Sequence, residues 1–338
     1  MKPFVSLILS AVLSLTALAV PAAPESVSLW LPYWESEEAL QQTQALGERV
    51  DTAIAFGAIF DSEDHPLMLP EAEELLRRLQ SSRENVMLSI VNDVQTGPGV
   101  YDNKSPALLE RLFRDEDSIS RHIEDLFRLV DTYGLTGLEI DYEGIRKDET
   151  LWEGFSRFVQ RLSEQFSAQG LRLRVVLSWD APKYMTLPQG PEYSVMCYNL
   201  YGSHSGPGPK ADFPFLEEIC GLYQPYTAAV HMAFATGGFD WGGETTKALT
   251  QNQAQALLAQ YGIRPARDEN SGVLVGSYLL DGTEHTVWYA DGQTLTLWAQ
   301  AVRSHGFESI DLFRAGGNDL SDWEQTLFRE RSLSPGKE

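Results

Sequence analysis

Eight short runs of apolar and β-branched residues alternate along the chain with segments of helical periodicity, and this alternation restricts the fold more than any other feature. The predicted strands cover residues 27–33, 51–60, 85–91, 137–143, 171–179, 193–201, 228–236 and 309–315. Between them, residues 105–134 have the pattern of two helices, and residues 151–170 that of one helix ending at a glycine. Eight strand–helix units predict a closed parallel (β/α)8 barrel. An open doubly wound sheet is the alternative, although no Gly-rich phosphate loop follows the first strand.

One segment interrupts this alternation between the seventh and eighth predicted strands. Residues 243–292 contain two strand-like runs on either side of the sequence DGTEH, which is typical of a β-hairpin. We expect a small α+β insertion here, on the rim of a barrel domain that spans residues 24–328. Residues 329–338 are polar and are expected to form a frayed tail.

The N-terminal residues 1–23 have the pattern of a secretory signal peptide, with one lysine, an apolar run and small residues near positions 19–23. A membrane anchor is the alternative, but the apolar run is short for a spanning helix. The sequence therefore predicts a secreted protein, extracellular or associated with the cell wall, without membrane contact after signal cleavage. Export would permit a disulfide between Cys197 and Cys220, and two buried thiols are the alternative.

The chain is strongly acidic, with 48 Asp and Glu residues against 26 Lys and Arg residues and a formal net charge of -22. This charge argues against binding to phosphate backbones or anionic membranes, so no nucleic-acid partner is expected. No His/Cys cluster has metal-ligand spacing, so neither a metal nor a cofactor is implied. The acidic loop at residues 61–65 is expected to be solvated, with a calcium site as the lesser alternative.

The fourth predicted strand, GLEIDYE, carries three acids at alternate positions. Glu139, Asp141 and Glu143 would share one face of the strand, with apolar residues on the other. In a barrel, catalytic groups lie at the C-terminal ends of strands, so Glu143 would lie nearest the mouth. Repulsion and burial should raise at least one pKa and leave a protonated acid near neutral pH. An edge strand with one solvated face is the alternative.

This strand carries a family resemblance. The sequence TGLEIDYE resembles the DGxDxDxE signature of glycoside hydrolase family 18, in which Gly137, Asp141 and Glu143 match. Thr136 stands in place of the first Asp of the signature, and Glu139 stands in place of a later one.

Two further segments agree with this resemblance. The sequence VMCYNLYG resembles the M-x-Y-D/N strand of the family, with Met196, Tyr198 and Asn199 matching. Residues 285–317 resemble the closing segment of secreted and spore-cortex-lytic members. Phe313 is the aromatic residue nearest to the position where the family has Trp at the end of its last strand.

The resemblance implies a retaining glycosidase in which the substrate's own acetamido group is the nucleophile. It implies that Glu143 protonates the leaving oxygen and then activates water, and that Asp141 orients the acetamido N–H. By the same resemblance, Tyr198 bonds to the acetamido oxygen, Glu139 holds or shares a proton with Asp141, and Asn199 contacts the sugar.

Aromatic residues near the predicted strand ends are expected to stack on sugar faces. These are Trp34, Trp179, Tyr201, Trp241 and Phe313, and Trp288 of the insertion could form a wall of the groove. The expected protein is a monomer that cleaves β-linked N-acetylglucosamine glycans of the peptidoglycan or chitin type. Two alternatives remain open: a carbohydrate-binding protein without catalysis, and an endo-β-N-acetylglucosaminidase that acts on N-glycans. The sequence does not distinguish endo from exo action.

Overall fold

A computed structural model describes residues 24, 26–145 and 148–329 of the chain. The strands are β1 (Ser26–Pro32), β2 (Thr52–Phe60), β3 (Pro66–Met68), β4 (Val86–Gly97), β5 (Val100–Asp102), β6 (Gly137–Asp141), β7 (Arg172–Ser178), β8 (Glu192–Met196), β9 (Val230–Ala235), β10 (Gly237–Gly242), β11 (Thr245–Leu249), β12 (Ala266–Arg267), β13 (Leu274–Leu280), β14 (Thr283–Ala290) and β15 (Ser309–Phe313). The α-helices are α1 (Ser36–Leu46), α2 (Pro70–Gln80), α3 (Pro106–Leu112), α4 (Glu116–Tyr133), α5 (Glu149–Ala168), α6 (Phe213–Tyr223), α7 (Gln251–Gln260), α8 (Gly292–Arg303) and α9 (Leu320–Gln325).

Parallel strands β1, β2, β4, β6, β7, β8, β9 and β15 pair in this order, and β15 pairs with β1 to close the barrel. The predicted (β/α)8 barrel is therefore confirmed, and the open sheet is not what the chain forms. Helices follow most of the barrel strands, as expected. The exception lies between β7 and β8, where a short 3-10 helix (Ala181–Lys183) stands in place of an α-helix. Prolines at positions 182, 188 and 191 explain this difference, because proline disrupts the interior of an α-helix.

The insertion forms a separate antiparallel sheet in the order β11, β10, β14, β13, β12, and helix α7 packs against it. The sheet begins at Gly237 rather than near residue 243, because β10 follows β9 after a single residue. Gly237 has φ of 61°, and a Cβ atom there would lie 2.3 Å from the Leu249 carbonyl oxygen, so the sharp change of direction requires glycine. The hairpin predicted at DGTEH is present, with Asp281 and Gly282 at positive φ between β13 and β14.

The barrel strands alternate between two environments. Leu138 and Ile140 of β6 belong to the core shared with the helices, whereas a separate apolar cluster around Trp30, Met87 and Met196 lies inside the barrel. The inward positions of β6 are the acidic ones, so the fold directs its carboxylates into the barrel.

The two cysteines are buried free thiols, Cys197 after β8 and Cys220 in α6. Within the part of the chain that the structure describes, no helix is both long and apolar enough to cross a membrane. The predicted signal peptide and most of the predicted polar tail lie outside the described residues.

Candidate active site

Glu139 is the deepest acid of β6 and is completely buried inside the barrel. Trp30 Nε1 donates a hydrogen bond to Glu139 Oε1 at 2.6 Å, and Arg174 Nη1 lies 3.9 Å from Oε2. Burial raises the pKa of Glu139 to about 7, although Arg174 and Trp30 act in the opposite direction. Glu139 is therefore a carboxyl group that exchanges its proton near neutral pH.

Asp141 follows one step nearer to the mouth. Burial raises its pKa well above the usual range, and the charges of Glu143 and Glu139 raise it further. Its Oδ1 atom is buried and has no hydrogen-bond partner within the described residues. Two acids of this strand therefore have raised pKa values, as the alternating sequence predicts.

Glu143 lies just beyond the end of β6, at the mouth of the barrel, with 23% of its side chain exposed. The amide of buried Asn92 holds its backbone from both sides: Asn92 Oδ1 accepts from Glu143 N at 2.8 Å, and Nδ2 donates to Glu143 O at 2.9 Å. Asn92 Nδ2 also donates to Ser105 O at 3.2 Å. Lys104 Nζ lies 2.6 Å from Glu143 Oε1.

Sequence reasoning missed both Asn92 and Lys104. Asn92 lies in the middle of β4, directly after the residues that pair with β6, and Lys104 lies in the loop that follows β5. A fully buried asparagine is the kind of residue that positions a site, because a buried amide must satisfy its donors and acceptor. The sequence VND at residues 91–93, directly after a buried run, could have indicated it.

Tyr198 faces the acids from β8's end, inside the barrel, while Cys197 packs outward in the core shared with the helices. Burial, together with the charges of Asp141 and Glu143, raises the pKa of Tyr198 well above its usual range, so its hydroxyl stays protonated. The Tyr198 ring stacks on Phe313, with ring centroids 6.2 Å apart and 22° between the planes. The hydroxyl is thus available to donate toward an oxygen in the site.

Phe313 is an inward-facing aromatic residue at the end of β15. Its ring packs edge-on against Trp30 at 6.1 Å and Phe56 at 6.4 Å, in addition to its stack on Tyr198. It therefore forms an apolar floor beside the acids. Asn199, by contrast, is exposed after the end of β8 and has φ of 70°.

The remaining predicted aromatic residues lie in different environments. Trp34 is 49% exposed and packs edge-on against Phe56 at 5.6 Å, and Tyr201 is 37% exposed. Trp179 is partly buried, 5.4 Å from the ring of Phe215. Trp34 and Tyr201 have the exposure that a sugar platform requires.

Trp241 and Trp288 belong to the insertion sheet rather than to barrel strand ends. Trp241 is only 7% exposed, and its Nε1 donates to the carbonyl oxygens of Gly202 and Ser205. Trp241 therefore does not offer the exposed ring face that sugar stacking requires. Its indole N–H instead joins the loop after β8 to the insertion by hydrogen bonds. Trp288 is partly buried on β14.

A cleft of about 870 Å³ opens beside Glu143. Its lining includes Lys104, Ser178, Asp180 and Tyr184. Clefts that hold small ligands have volumes of about 300–1,000 Å³, so the space accommodates sugar units.

The acidic loop is used structurally. Asp61 Oδ1 accepts the backbone N–H groups of Glu63 and His65, and Asp64 pairs with Arg111 at 2.7 Å. Across the described ranges, no group of three or more His, Cys, Asp or Glu residues could hold a metal ion.

The barrel of this chain has the same fold as solved structures of chitinases and spore cortex-lytic enzymes. The chain superposes on the spore cortex-lytic enzyme SleL of Bacillus cereus with a TM-score of 0.78 and 17% identity, over 92% of this chain and 75% of that one. It superposes on a chitinase from Chromobacterium violaceum with a TM-score of 0.78 and 19% identity, over 92% and 99% of the two chains.

A mutant class V chitinase from Nicotiana tobaccum, in complex with NAG4, gives a TM-score of 0.73 and 13% identity over 90% of this chain and 97% of that one. No protein-family model matches the sequence, and no curated protein matches it. The predicted resemblance is therefore confirmed at the level of the fold.

Proposed function

We propose that this protein is a glycoside hydrolase that cleaves β-linked N-acetylglucosamine glycans of the peptidoglycan or chitin type by substrate-assisted, retaining catalysis. The observation that carries the proposal is the gradient of burial along the acidic strand. Glu139 is completely buried and Asp141 is half-buried, both with raised pKa values, whereas Glu143 lies at the mouth with 23% of its side chain exposed, beside a cleft that fits sugars. The similarity to chitinase and SleL folds supports it.

The placement of the acids favours a nucleophile from the substrate. Retaining glycosidases with an enzyme nucleophile hold two carboxyl groups on opposite sides of the bond, about 5–5.5 Å apart. Asp141 and Glu143 come from the same strand end and face the same way, so they do not enclose a sugar. The substrate's acetamido oxygen is then the group that attacks the anomeric carbon.

The mechanism has two steps. In the first, protonated Glu143 gives its proton to the glycosidic oxygen while the acetamido oxygen bonds to the anomeric carbon and the leaving sugar departs. Asp141 orients the acetamido N–H, and the Tyr198 hydroxyl donates to the acetamido oxygen. In the second, Glu143 takes a proton from water while the water oxygen attacks the anomeric carbon. This breaks the bond between the acetamido oxygen and the anomeric carbon and leaves the product with the original configuration.

Secretion and a monomeric state belong to the same proposal. The support for secretion is the signal-like pattern of residues 1–23. Cell fractionation of the expressed protein, with N-terminal sequencing of the exported form, tests it, and a chain that retains residues 1–23 in the membrane fraction would contradict it. Light scattering of the purified protein tests the monomer.

The deciding experiment offers purified protein a panel of N-acetylglucosamine oligomers, peptidoglycan and a high-mannose glycoprotein, with products identified by mass. A deacetylated oligomer of the same linkage and the Glu143→Gln variant are the controls. We expect cleavage of acetylated glycans, no turnover of the deacetylated oligomer, and β-anomer products at early times by NMR. Products of inverted configuration, or efficient cleavage of the deacetylated oligomer, would refute the mechanism. Binding without turnover would instead identify a carbohydrate-binding protein, and cleavage at the N-glycan core would identify the endoglycosidase alternative.

A further inference from the structure

The backbone around Lys104 positions this residue beside Glu143, the proposed acid. It is a non-glycine residue with φ of 54°, a left-handed conformation that costs side-chain-bearing residues energy. Its backbone N–H donates to Asp93 Oδ1 at 2.7 Å. Its carbonyl oxygen lies against Gly144, where a Cβ atom would be only 2.9 Å away. With the backbone held in this way, the ammonium group of Lys104 lies 2.6 Å from Glu143 Oε1.

This contact conflicts with the first catalytic step. Glu143 must carry a proton before it can protonate a leaving oxygen, and proton uptake removes the charge that pairs with Lys104. The other nearby carboxyls compensate poorly: burial and the charges of its neighbours raise the pKa of Asp141, and one oxygen of Asp93 already accepts a backbone N–H. Asp180 of the cleft wall accepts from Ser178 Oγ at 3.0 Å.

We propose that Lys104 is a specificity-determining residue. Its ammonium group moves away from Glu143 and pairs with a carboxylate of the substrate. The site would then favour an N-acetylhexosamine glycan with a carboxylate on a sugar at the cleavage site over a neutral chain. The lactyl group of N-acetylmuramic acid is such a carboxylate. This inference rests on the proposed function and names its substrate class.

The surroundings of Lys104 fit this role. Its side chain is 57% exposed in the wall of the cleft, and four rotatable bonds let the ammonium group move from one partner to another. Among the described residues that line this cleft, Lys104 is the only basic one. In a chain with a net charge of -22, an anionic glycan is repelled at long range, so a local cation is what would make its binding favourable.

Two matched probes test the proposal: a tetrasaccharide of alternating N-acetylglucosamine and N-acetylmuramic acid with free lactyl carboxylates, and the same tetrasaccharide with those groups as methyl esters. The readout is the ratio of kcat/KM for the two. Because a hydrogen bond to a charged group is involved, we expect the wild type to favour the carboxylate form by about tenfold or more. Lys104→Met should abolish the preference, and Lys104→Arg should keep it.

Lys183→Met is the matched control, since Lys183 is a nearby lysine that lies over the Trp179 ring and pairs with Glu218 rather than Glu143. It should keep the wild-type ratio. An equal loss on both probes in Lys104→Met would overturn the proposal, because Lys104 would then serve only as the partner of Glu143.

The proposed function can fail separately. If the wild type hydrolyses neither probe, calorimetry of the binding of the same two probes still measures whether the site prefers the carboxylate form to the methyl ester. A binding preference for the carboxylate form that disappears in Lys104→Met supports the specificity role without catalysis, and equal binding of both forms overturns it. Circular dichroism and thermal melting of each variant show that it is folded.

Discussion

Replacing Asn92 tests whether one buried amide positions the proposed acid. The Asn92 side chain is completely buried and makes three hydrogen bonds, two to the backbone of Glu143 and one to Ser105 O. Each such bond contributes about 0.5–1.5 kcal/mol net, and a buried N–H left without a partner adds about 1–3 kcal/mol. Asn92→Ala should therefore lower the free energy of unfolding by roughly 3 kcal/mol, measured by urea denaturation.

The activity of Asn92→Ala should fall as well, because Glu143 would lose its position rather than because the fold is less stable. Glu143 lies in a short segment between β6 and Gly144, so without Asn92 its backbone can shift toward the cleft. A displacement of about 1 Å in a catalytic group costs about 10²-fold, so kcat for a chromogenic N-acetylglucosamine oligomer should fall by about that factor. Asn92→Asp keeps the acceptor for Glu143 N–H but loses both donors and adds a buried charge near Asp141. Its stability should therefore decrease further as the pH rises.

The control is Gln95→Ala, on the same strand, which removes an exposed hydrogen bond to Tyr101 Oη and should change stability by less than about 0.5 kcal/mol. If Asn92→Ala loses stability while kcat stays within about threefold of wild type, the amide supports the fold without positioning the acid. If stability is also unchanged, the hydrogen bonds around Asn92 do not have the strength inferred from their burial.

Three further variants follow from the site. Glu143→Gln should stay folded and lower kcat by about 10²–10⁴, the usual contribution of a general acid; near wild-type turnover would exclude Glu143 from the mechanism. Tyr198→Phe should cost roughly 2–4 kcal/mol in the transition state if its hydroxyl acts like an oxyanion donor, whereas an unchanged kcat would show that the hydroxyl does not reach the sugar. The pKa of Glu139 is raised from 4.5 to about 7, so the folded state keeps a proton that the unfolded state loses. The stability that this provides is fully present below about pH 4.5 and should be lost, by about 3 kcal/mol, as the pH rises to about 7. Glu139→Gln should flatten that part of a stability-versus-pH curve measured by denaturation, and an unchanged slope would contradict the shift.

The barrel could be predicted because each strand and helix carries its own periodicity, independent of what it later contacts. The acids of β6 follow from the same local rule, since alternation alone places Glu139 and Asp141 on one face. Phe313 was predicted as the aromatic residue nearest to the family's Trp position at the end of the last strand, and the structure stacks it on Tyr198. In each case, a short segment contains all the information that the prediction needed.

Where the prediction missed, the determining contact joins distant segments. Asn92 and Glu143 are 51 positions apart and meet only because β4 and β6 are neighbours in the barrel. Trp241 reads locally as an aromatic residue in a Gly-rich loop, but the segment becomes β10 because it pairs with β14 about 45 residues later. That pairing buries the indole and moves the start of the insertion to Gly237. Local pattern cannot predict either contact, because both depend on which elements become neighbours.

The charged groups around Arg174, inside the barrel, explain how Glu139 can keep a proton although a buried arginine lies nearby. Burial opposes the ionisation of Asp311, but Arg174 at 3.3 Å, His231 at 3.0 Å and Ser194 at 2.6 Å together hold the pKa of Asp311 below its usual range. Glu139 lies farther from Arg174, at 3.9 Å, and accepts a hydrogen bond from Trp30 Nε1 at 2.6 Å, but burial outweighs both and its pKa rises. The charge of Arg174 is thus balanced by Asp311 at 3.3 Å and by Glu192 at 3.4 Å. An arginine balanced in this way does not force Glu139 to ionise, and two carboxyl groups in one barrel acquire opposite protonation states.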